Sequence, residues 1–372
     1  MTSSTPKILF LTLYDESGAS TRYSVYEYLP FIEAAGIKYE IRPLLKKEFS
    51  KLANSVAQPK GIVDLFKTLI FLILKFLSRY KDVWRSSEYP LTVVQKDVLP
   101  FGVQWILKLR AQRIIFMVDD PIWLKHPGAF GKIFLLGSFV ACYRKHLFKE
   151  ICKASDLVIV DNPYMKKTAD QWAKKVIVIP TTINVQNYGK ITVQQDPVAF
   201  GWIGSPSSVH LLQALLPLLE KLAETHPIRL INVSSTTLTS SKIEITNLVW
   251  TPENEIRAME NFCIGLMPMD QTEFSSFRTS RKWHIYSLAN IVTLAQWTQL
   301  NAMLLKDEQD VVFYRTSDEF IENAKELILD EKKRIRIASE ANRVVQNEYS
   351  LQAGGKMYLD AFRSVLDHPP VQ

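Results

Sequence analysis

Three cations fall within five positions of FRTSRKWHIYSLANIV, residues 277–292: Arg278, Arg281 and Lys282. A helix beginning near Thr279 would set them three and four residues apart, on one face at its positive end, where anions are favoured. The ligand such a clamp suits is a phosphate or diphosphate group. A solvated charged face is the competing reading. The cluster follows the apolar run CIGLMPM and the irregular MDQTEFSS, and that position favours the ligand.

Three other stretches hold candidate chemistry. MVDDPIW ends an apolar run with Asp119 and Asp120 just before a proline. Neighbouring carboxylates on a strand face opposite ways, so one would act on a hydroxyl as general base while the other serves the turn. SGASTR offers Gly18 for close backbone approach, Ser20 or Thr21 as a helix cap, and Arg22 for an anion or a neighbouring carboxylate. GWIGSPSS offers Gly204, with Ser205 or Ser207 as cap, at a helix start whose free amides would attract phosphate oxygens. The glycine spacing is not that of a dinucleotide fingerprint. The chain also has no G-x-x-x-x-G-K-[ST] loop and no G-x-S-x-G elbow. No His and Cys spacing suggests a metal, and none is expected. Cys142, Cys152 and Cys263 stand in apolar surroundings without a redox or zinc spacing, which predicts buried thiols and no disulfide.

The elements that must position these residues alternate. KILFLTL, YPLTVVQ, RIIFMVDD, DLVIVDN and VIVIPTTIN read as strands separated by helical stretches, including 62–80, 100–110 and 133–153. The alternation restarts after the polar residues 186–197 with VAFGWIG, a Leu-rich helix at 208–225, IRLINVS, a strand at 248–250, CIGLMPM and NIVTLA. Strands separated by helices predict parallel sheets. At 372 residues the chain fits two α/β domains, residues 1–185 and 198–352, joined by the linker 186–197. A helical tail follows, breaking at Ala353-Gly354-Gly355, with a last amphipathic helix within 353–372. Ligands of such sheets bind beyond the carboxyl ends of the strands, where all the candidate residues fall.

The charge is uneven. Residues 1–185 carry 27 Lys and Arg against 16 Asp and Glu, net +11, and the remainder is net −4. The basic residues are spread rather than blocked and no nucleic-acid motif accompanies them, so nucleic acid is not the expected partner. LFKTLIFLILKFL, residues 65–77, is too short to span a bilayer. Within residues 62–80 it reads as an amphipathic helix that packs on its own sheet, lies against an anionic membrane surface, or does both on opposite faces. The opening MTSSTPKILFLTLYDE has no basic leader, which predicts a cytoplasmic protein, peripheral at most on the inner membrane face.

SGASTRYSVYEYLPFIEAAGI, VVQKDVLPFG, IIFMVDDPIW, DLVIVDNPYM, VIVIPTTIN, VAFGWIGSPSS and IGLMPM, in that order, resemble the family 4 glycosyltransferases of bacterial surface-polysaccharide synthesis. The resemblance implies a GT-B fold, two Rossmann-like domains with parallel sheets facing across a cleft, the final helix crossing back to the first domain. It also implies retaining, metal-independent transfer from a nucleotide-sugar held by the second domain to a glycan or lipid-linked acceptor at the first. Lys282 matches the family's phosphate-contacting lysine, Gly18 its glycine loop, and Tyr286 the tyrosine of its K-x-x-E-Y motif. Aligned so, Phe277 and Ile285 occupy the positions of the family's two glutamates. A catalytically silent nucleotide-sugar-binding scaffold and a nucleotide-sugar epimerase are the alternatives.

Overall fold

The computed structural model describes residues 7–46, 70, 73–74, 77–96, 102–124, 134–188, 197–205, 208–273, 275–277 and 281–367. Arg278, most of the 62–80 segment and most of the 186–197 linker lie outside them. The chain divides into two compact units, Met1–Thr181 with Gln352–Gln372, and Thr182–Leu351.

The first unit is built on six parallel strands: β1 (Lys7–Tyr14), β2 (Lys38–Leu45), β3 (Leu91–Gln95), β4 (Ile114–Val118), β5 (Leu157–Val160) and β6 (Val176–Val178). Their order is β2-β1-β3-β4-β5-β6. LTVVQ, IIFMV and LVIV are buried at every position because helices cover both faces of a parallel sheet, so apolar runs replace alternation. The helices include α1 (Ala19–Ser24), α2 (Leu29–Ala34), α3 (Val103–Arg110), α4 (Phe134–Ala154) and α5 (Pro163–Ala169).

The second unit repeats the plan with β7 (Val198–Ile203), β8 (Ile228–Val233), β9 (Glu244–Leu248), β10 (Ile264–Met267), β11 (Val292–Gln296) and β12 (Val312–Tyr314). The order is β12-β11-β10-β7-β8-β9, again parallel. Its helices are α6 (Val209–Ala223), α7 (Pro252–Met259), α8 (Arg281–Leu288), α9 (Gln299–Leu304), α10 (Ser317–Leu329) and α11 (Glu331–Glu348), followed by α12 (Leu351–Leu366), which belongs almost wholly to the first unit. In each sheet the strand order reverses beside the first strand. That leaves a crevice between β1 and β3 in one unit and between β7 and β10 in the other, beyond which ligands of such sheets bind.

Two expected boundaries move. The strand predicted at 248–250 is EITNL, Glu244–Leu248. The tail does not break at Ala353-Gly354-Gly355: α12 runs through both glycines, and the interruption is at Tyr349-Ser350, where Ser350 bridges to Ile183. Gly355 is there for packing, since a Cβ would lie 2.6 Å from the Phe31 ring. Tyr358 and Phe362 of α12 then pack on Tyr28 and Phe10. Asn290 ends α8 in the left-handed conformation at φ 54°, and Asn342 donates to the carbonyls of Ser287 and Leu288 at that helix end. Cys152 and Cys263 are buried, whereas Cys142 is exposed, contrary to the expectation of three buried thiols. Burial alone pushes the Cys152 thiol up to about 12.

Candidate active site

In the first unit the chemistry gathers at the β1/β3 crevice. β3 ends in Gln95, and Lys96 turns the chain at φ 55°, a left-handed conformation that costs a lysine free energy and so marks a constrained position. The turn brings the Lys96 ammonium against Asp120 and to 3.3 Å from Asp119. Burial opposes the charge on Lys96, but the Asp119 and Asp120 carboxylates outweigh it and raise the ammonium above the ordinary lysine value.

Ser20 lies in the first turn of α1 and donates its hydroxyl to Asp119. Gln95 donates to Ser20 at 3.3 Å and to Ser24 at 3.0 Å, and accepts from Thr21 at 3.1 Å. The carboxylate is thus oriented by the Ser20 hydroxyl from α1 and the Lys96 ammonium from the turn after β3, while the Gln95 amide of β3 holds Ser20. Beside it opens a hollow of about 70 Å³, continuous with solvent. Its polar lining includes Asp119, Asp161, Ser20, Ser24 and Thr181, and its apolar walls include Met117, Ile159 and Tyr358. Among the described residues no lysine or arginine lines it.

The two aspartates do not face opposite ways. β4 ends at Val118, so Asp119 and Asp120 belong to a bend in which strand alternation no longer applies, and both converge on Lys96. Asp120 also fixes that bend, its carbonyl accepting from the Ile122 amide at 2.7 Å. Ser20 and Thr21 do not cap α1: Gly18 is the N-cap, close against Tyr14, which frees both hydroxyls for Asp119 and Gln95. Arg22 stacks on Tyr23, its guanidinium carbon 4.9 Å from the ring centroid, and donates to that tyrosine's hydroxyl at 3.1 Å.

In the second unit the β7/β10 crevice is closed by Tyr286. Fully buried, its hydroxyl accepts from the Ile203 amide at 3.2 Å and donates to the Leu266 carbonyl at 3.3 Å, joining two strands whose ladder pairs only Phe200 and Gly201 with Ile264 and Gly265. Tyr286 is therefore a core residue rather than the ligand contact its alignment implies. A ring enclosed by the sheet and α8 has no surface left to offer. Burial also raises its phenol far above the ordinary value.

Arg281 and Lys282 form the first turn of α8 and are half-buried. The Lys282 ammonium stands 5.6 Å from the Trp202 ring centroid. Trp202 also explains Gly204: a Cβ there would lie 2.2 Å from the indole, so close packing demands glycine whether or not a phosphate approaches. Ser205 is exposed and does not cap α6. The cap position is Ser208, whose amide and hydroxyl both donate to the Ser205 carbonyl at 3.0 Å. Phe277 and Ile285 are buried and apolar.

Sequence reasoning missed Lys96, Gln95, Asp161 and, in the second unit, Asp270. The signal for Lys96 was the polar pair that ends VVQK beside the crevice. Asp270 lies beyond β10, and burial works against its charge. Hydrogen bonds from Thr272 and Ser275, with the positive charge of His210, outweigh that burial and hold the carboxyl below the usual range. His210 is at the start of α6, so Asp270 and that helix start share the β7/β10 end of the sheet. Among the described residues, no group of three or more His, Cys, Asp or Glu is placed to hold a metal ion.

Two parallel six-stranded sheets with flanking helices, each reversing its strand order beside its first strand, make this an α/β protein of the GT-B fold class. Solved structures carry the same fold along nearly the whole chain. A glycosyltransferase from Rickettsia africae matches with a TM-score of 0.70 at 11% identity, covering 98% of this chain and 100% of its own. HepE of Anabaena, solved with UDP-glucose, matches at 0.64 and 13%, covering 96% and 99%. A protein named as a UDP-N-acetylglucosamine 2-epimerase from Listeria monocytogenes matches at 0.56 and 8%, covering 99% of each chain. No protein-family model and no curated protein matches the sequence. At these identities the likeness establishes the fold, which by itself serves more than one chemistry.

Proposed function

We propose that the chain is a glycosyltransferase that moves a sugar from a nucleotide-sugar to a hydroxyl of a glycan or lipid-linked acceptor. The observation that carries this reading is Asp119 in the lining of the hollow, already accepting a hydroxyl from Ser20 and braced by Lys96. A substrate hydroxyl taking the place of Ser20 would lie within reach of a carboxylate able to receive its proton. In the second unit Arg281 and Lys282, with the amides after Gly204, would stabilise the departing diphosphate. Basic groups and a helix start can supply that stabilisation without a metal. Asp270 would accept from hydroxyls of the donor, since Phe277 and Ile285 cannot. The relative with bound UDP-glucose supports a nucleotide-sugar donor, and the series of motifs supports retaining transfer in surface-polysaccharide synthesis.

The test is release of nucleotide from a panel of nucleotide-sugars, with and without glycan acceptors. Asp119→Asn should lower turnover about 10²–10⁴-fold, the range for loss of a general base, while leaving donor binding intact. Wild-type binding without turnover would favour the silent scaffold, for which the buried Phe277 and Ile285 speak. Conversion of donor in the absence of any acceptor would favour the epimerase.

A further inference from the structure

The hollow of the first unit is lined by two carboxylates. β4 and β5 pair Val118 with Val160, so Asp119 and Asp161, each one residue past its strand, leave neighbouring strands at the same level, and both reach the lining. Asp161 is 7% exposed and accepts from the Asn162 side-chain amide at 2.7 Å. Asn162 is itself fixed as the cap of α5, where its carbonyl oxygen accepts from the Met165 amide at 2.9 Å. The helix cap therefore holds the group that orients Asp161.

The rest of the lining suits hydroxyl groups. Tyr358, carried by α12, brings a phenol to it. Burial, with the charges of Tyr28, Asp119 and Asp161, raises that phenol well above its ordinary value, so it stays protonated and can donate or accept. An ionised carboxylate only accepts, which matches the hydroxyls of a sugar, and apolar walls such as Met117 and Ile159 match its C–H faces. At about 70 Å³ the hollow has room for a few waters, enough for one edge of a sugar ring with its hydroxyls. Lys96 is held by Asp119 and Asp120, and Arg22 stacks on Tyr23; neither lines the hollow. Residues 1–185 are net +11, yet the charged groups in this lining are both acids.

We infer that the hollow seats the acceptor sugar that receives the transfer, that this sugar carries no anionic group, and that Asp161 enforces the exclusion. A uronate or phosphate placed there would face two carboxylates and no lining cation, whereas hydroxyls find acceptors already oriented. A lipid-linked acceptor would keep its phosphates outside the hollow. The inference rests on the transferase reading for calling the sugar an acceptor, and goes beyond it in giving that sugar a charge class and naming a selectivity residue. Asp161 governs which sugar binds; proton transfer is left to Asp119.

The experiment is a saturation-transfer NMR titration of the full-length protein, without donor, with methyl glycosides of glucose, galactose and mannose and with the corresponding uronides. At least one neutral glycoside should bind, and its uronide should bind more weakly by about tenfold or more. Asp161→Asn keeps the shape and one acceptor oxygen but removes the charge, and should shrink that ratio by about threefold or more. Tyr358→Phe removes only a hydroxyl; it should weaken both ligands about fivefold and leave their ratio unchanged. Melting temperatures near the wild-type value would show that the variants fold, and the wild-type ratio decides the matter even if Asp161→Asn does not. Absence of binding by every neutral glycoside, equal binding of glycoside and uronide, or a ratio unmoved in folded Asp161→Asn would overturn the inference. Nucleotide release is scored separately. Release with uronides accepted equally well sinks this inference alone, whereas selective binding of a neutral glycoside with no release from any donor keeps the sugar site and removes the transferase reading.

Discussion

The Lys96 ammonium lies 3.3 Å from the Asp119 carboxylate while also pairing with Asp120, so one cation from the end of β3 holds both acids that follow β4. The pairing depends on Lys96 having a left-handed backbone and on Asp119 lying one residue past the strand.

Removing that cation leaves two adjacent carboxylates largely screened from water. Lys96→Met should cost about 2–4 kcal/mol of stability, read from the shift in the denaturant midpoint at constant slope. Adding Asp120→Asn removes the repulsion, so the double variant should be less unstable than Lys96→Met alone. Additive losses would mean that the three groups do not act as a unit.

Lys282 and Tyr286 are four residues apart on α8 but have opposite fates. Lys282→Ala should weaken nucleoside-diphosphate binding about tenfold or more, the scale of one charge-assisted hydrogen bond, with little change in the melting temperature of the free protein. Tyr286→Phe should leave that binding intact and lower stability by about 1–2 kcal/mol, because the Ile203 amide loses its buried acceptor. A thermal-shift titration of both variants reads the two effects together.

Gly204→Ala tests the packing reason for that glycine. With the added carbon 2.2 Å from the Trp202 indole, the variant should lose about 1–3 kcal/mol, the range for overpacking. Trp202→Phe, which shrinks the obstructing ring, should make the same alanine less costly, as a double-mutant cycle would show.

His284 is enclosed between Trp283 and Tyr349, and among the described residues neither ring nitrogen has a hydrogen-bond partner. Burial, aided by the charge of Arg281, lowers its pKa from 6.5 to about 3. The folded state therefore keeps it neutral while the unfolded chain takes up a proton below pH 6.5, so stability falls as pH drops from 6.5 toward 3. The slope should be about 1.4 kcal/mol per pH unit from this group. His284→Leu should flatten the dependence of melting temperature on pH in that window, and an unchanged slope would assign the acid sensitivity elsewhere.

Much of the architecture was legible in the sequence because it is local. The apolar runs IIFMV and LVIV can only be strands covered on both faces, the polar breaks mark the turns, and the repeated alternation forces parallel sheets. Residue type also singled out Asp119 and Ser20, since a carboxylate and a hydroxyl at strand ends are rarely there for packing. The sequence could not say that Lys96, 23 positions before Asp119, would be its partner, that both aspartates would turn to one cation, or that Tyr286 would be walled into the core. Those outcomes depend on which strands become neighbours and where each strand stops. Such choices are made by burial and pairing across the whole sheet, so only the tertiary structure decides them.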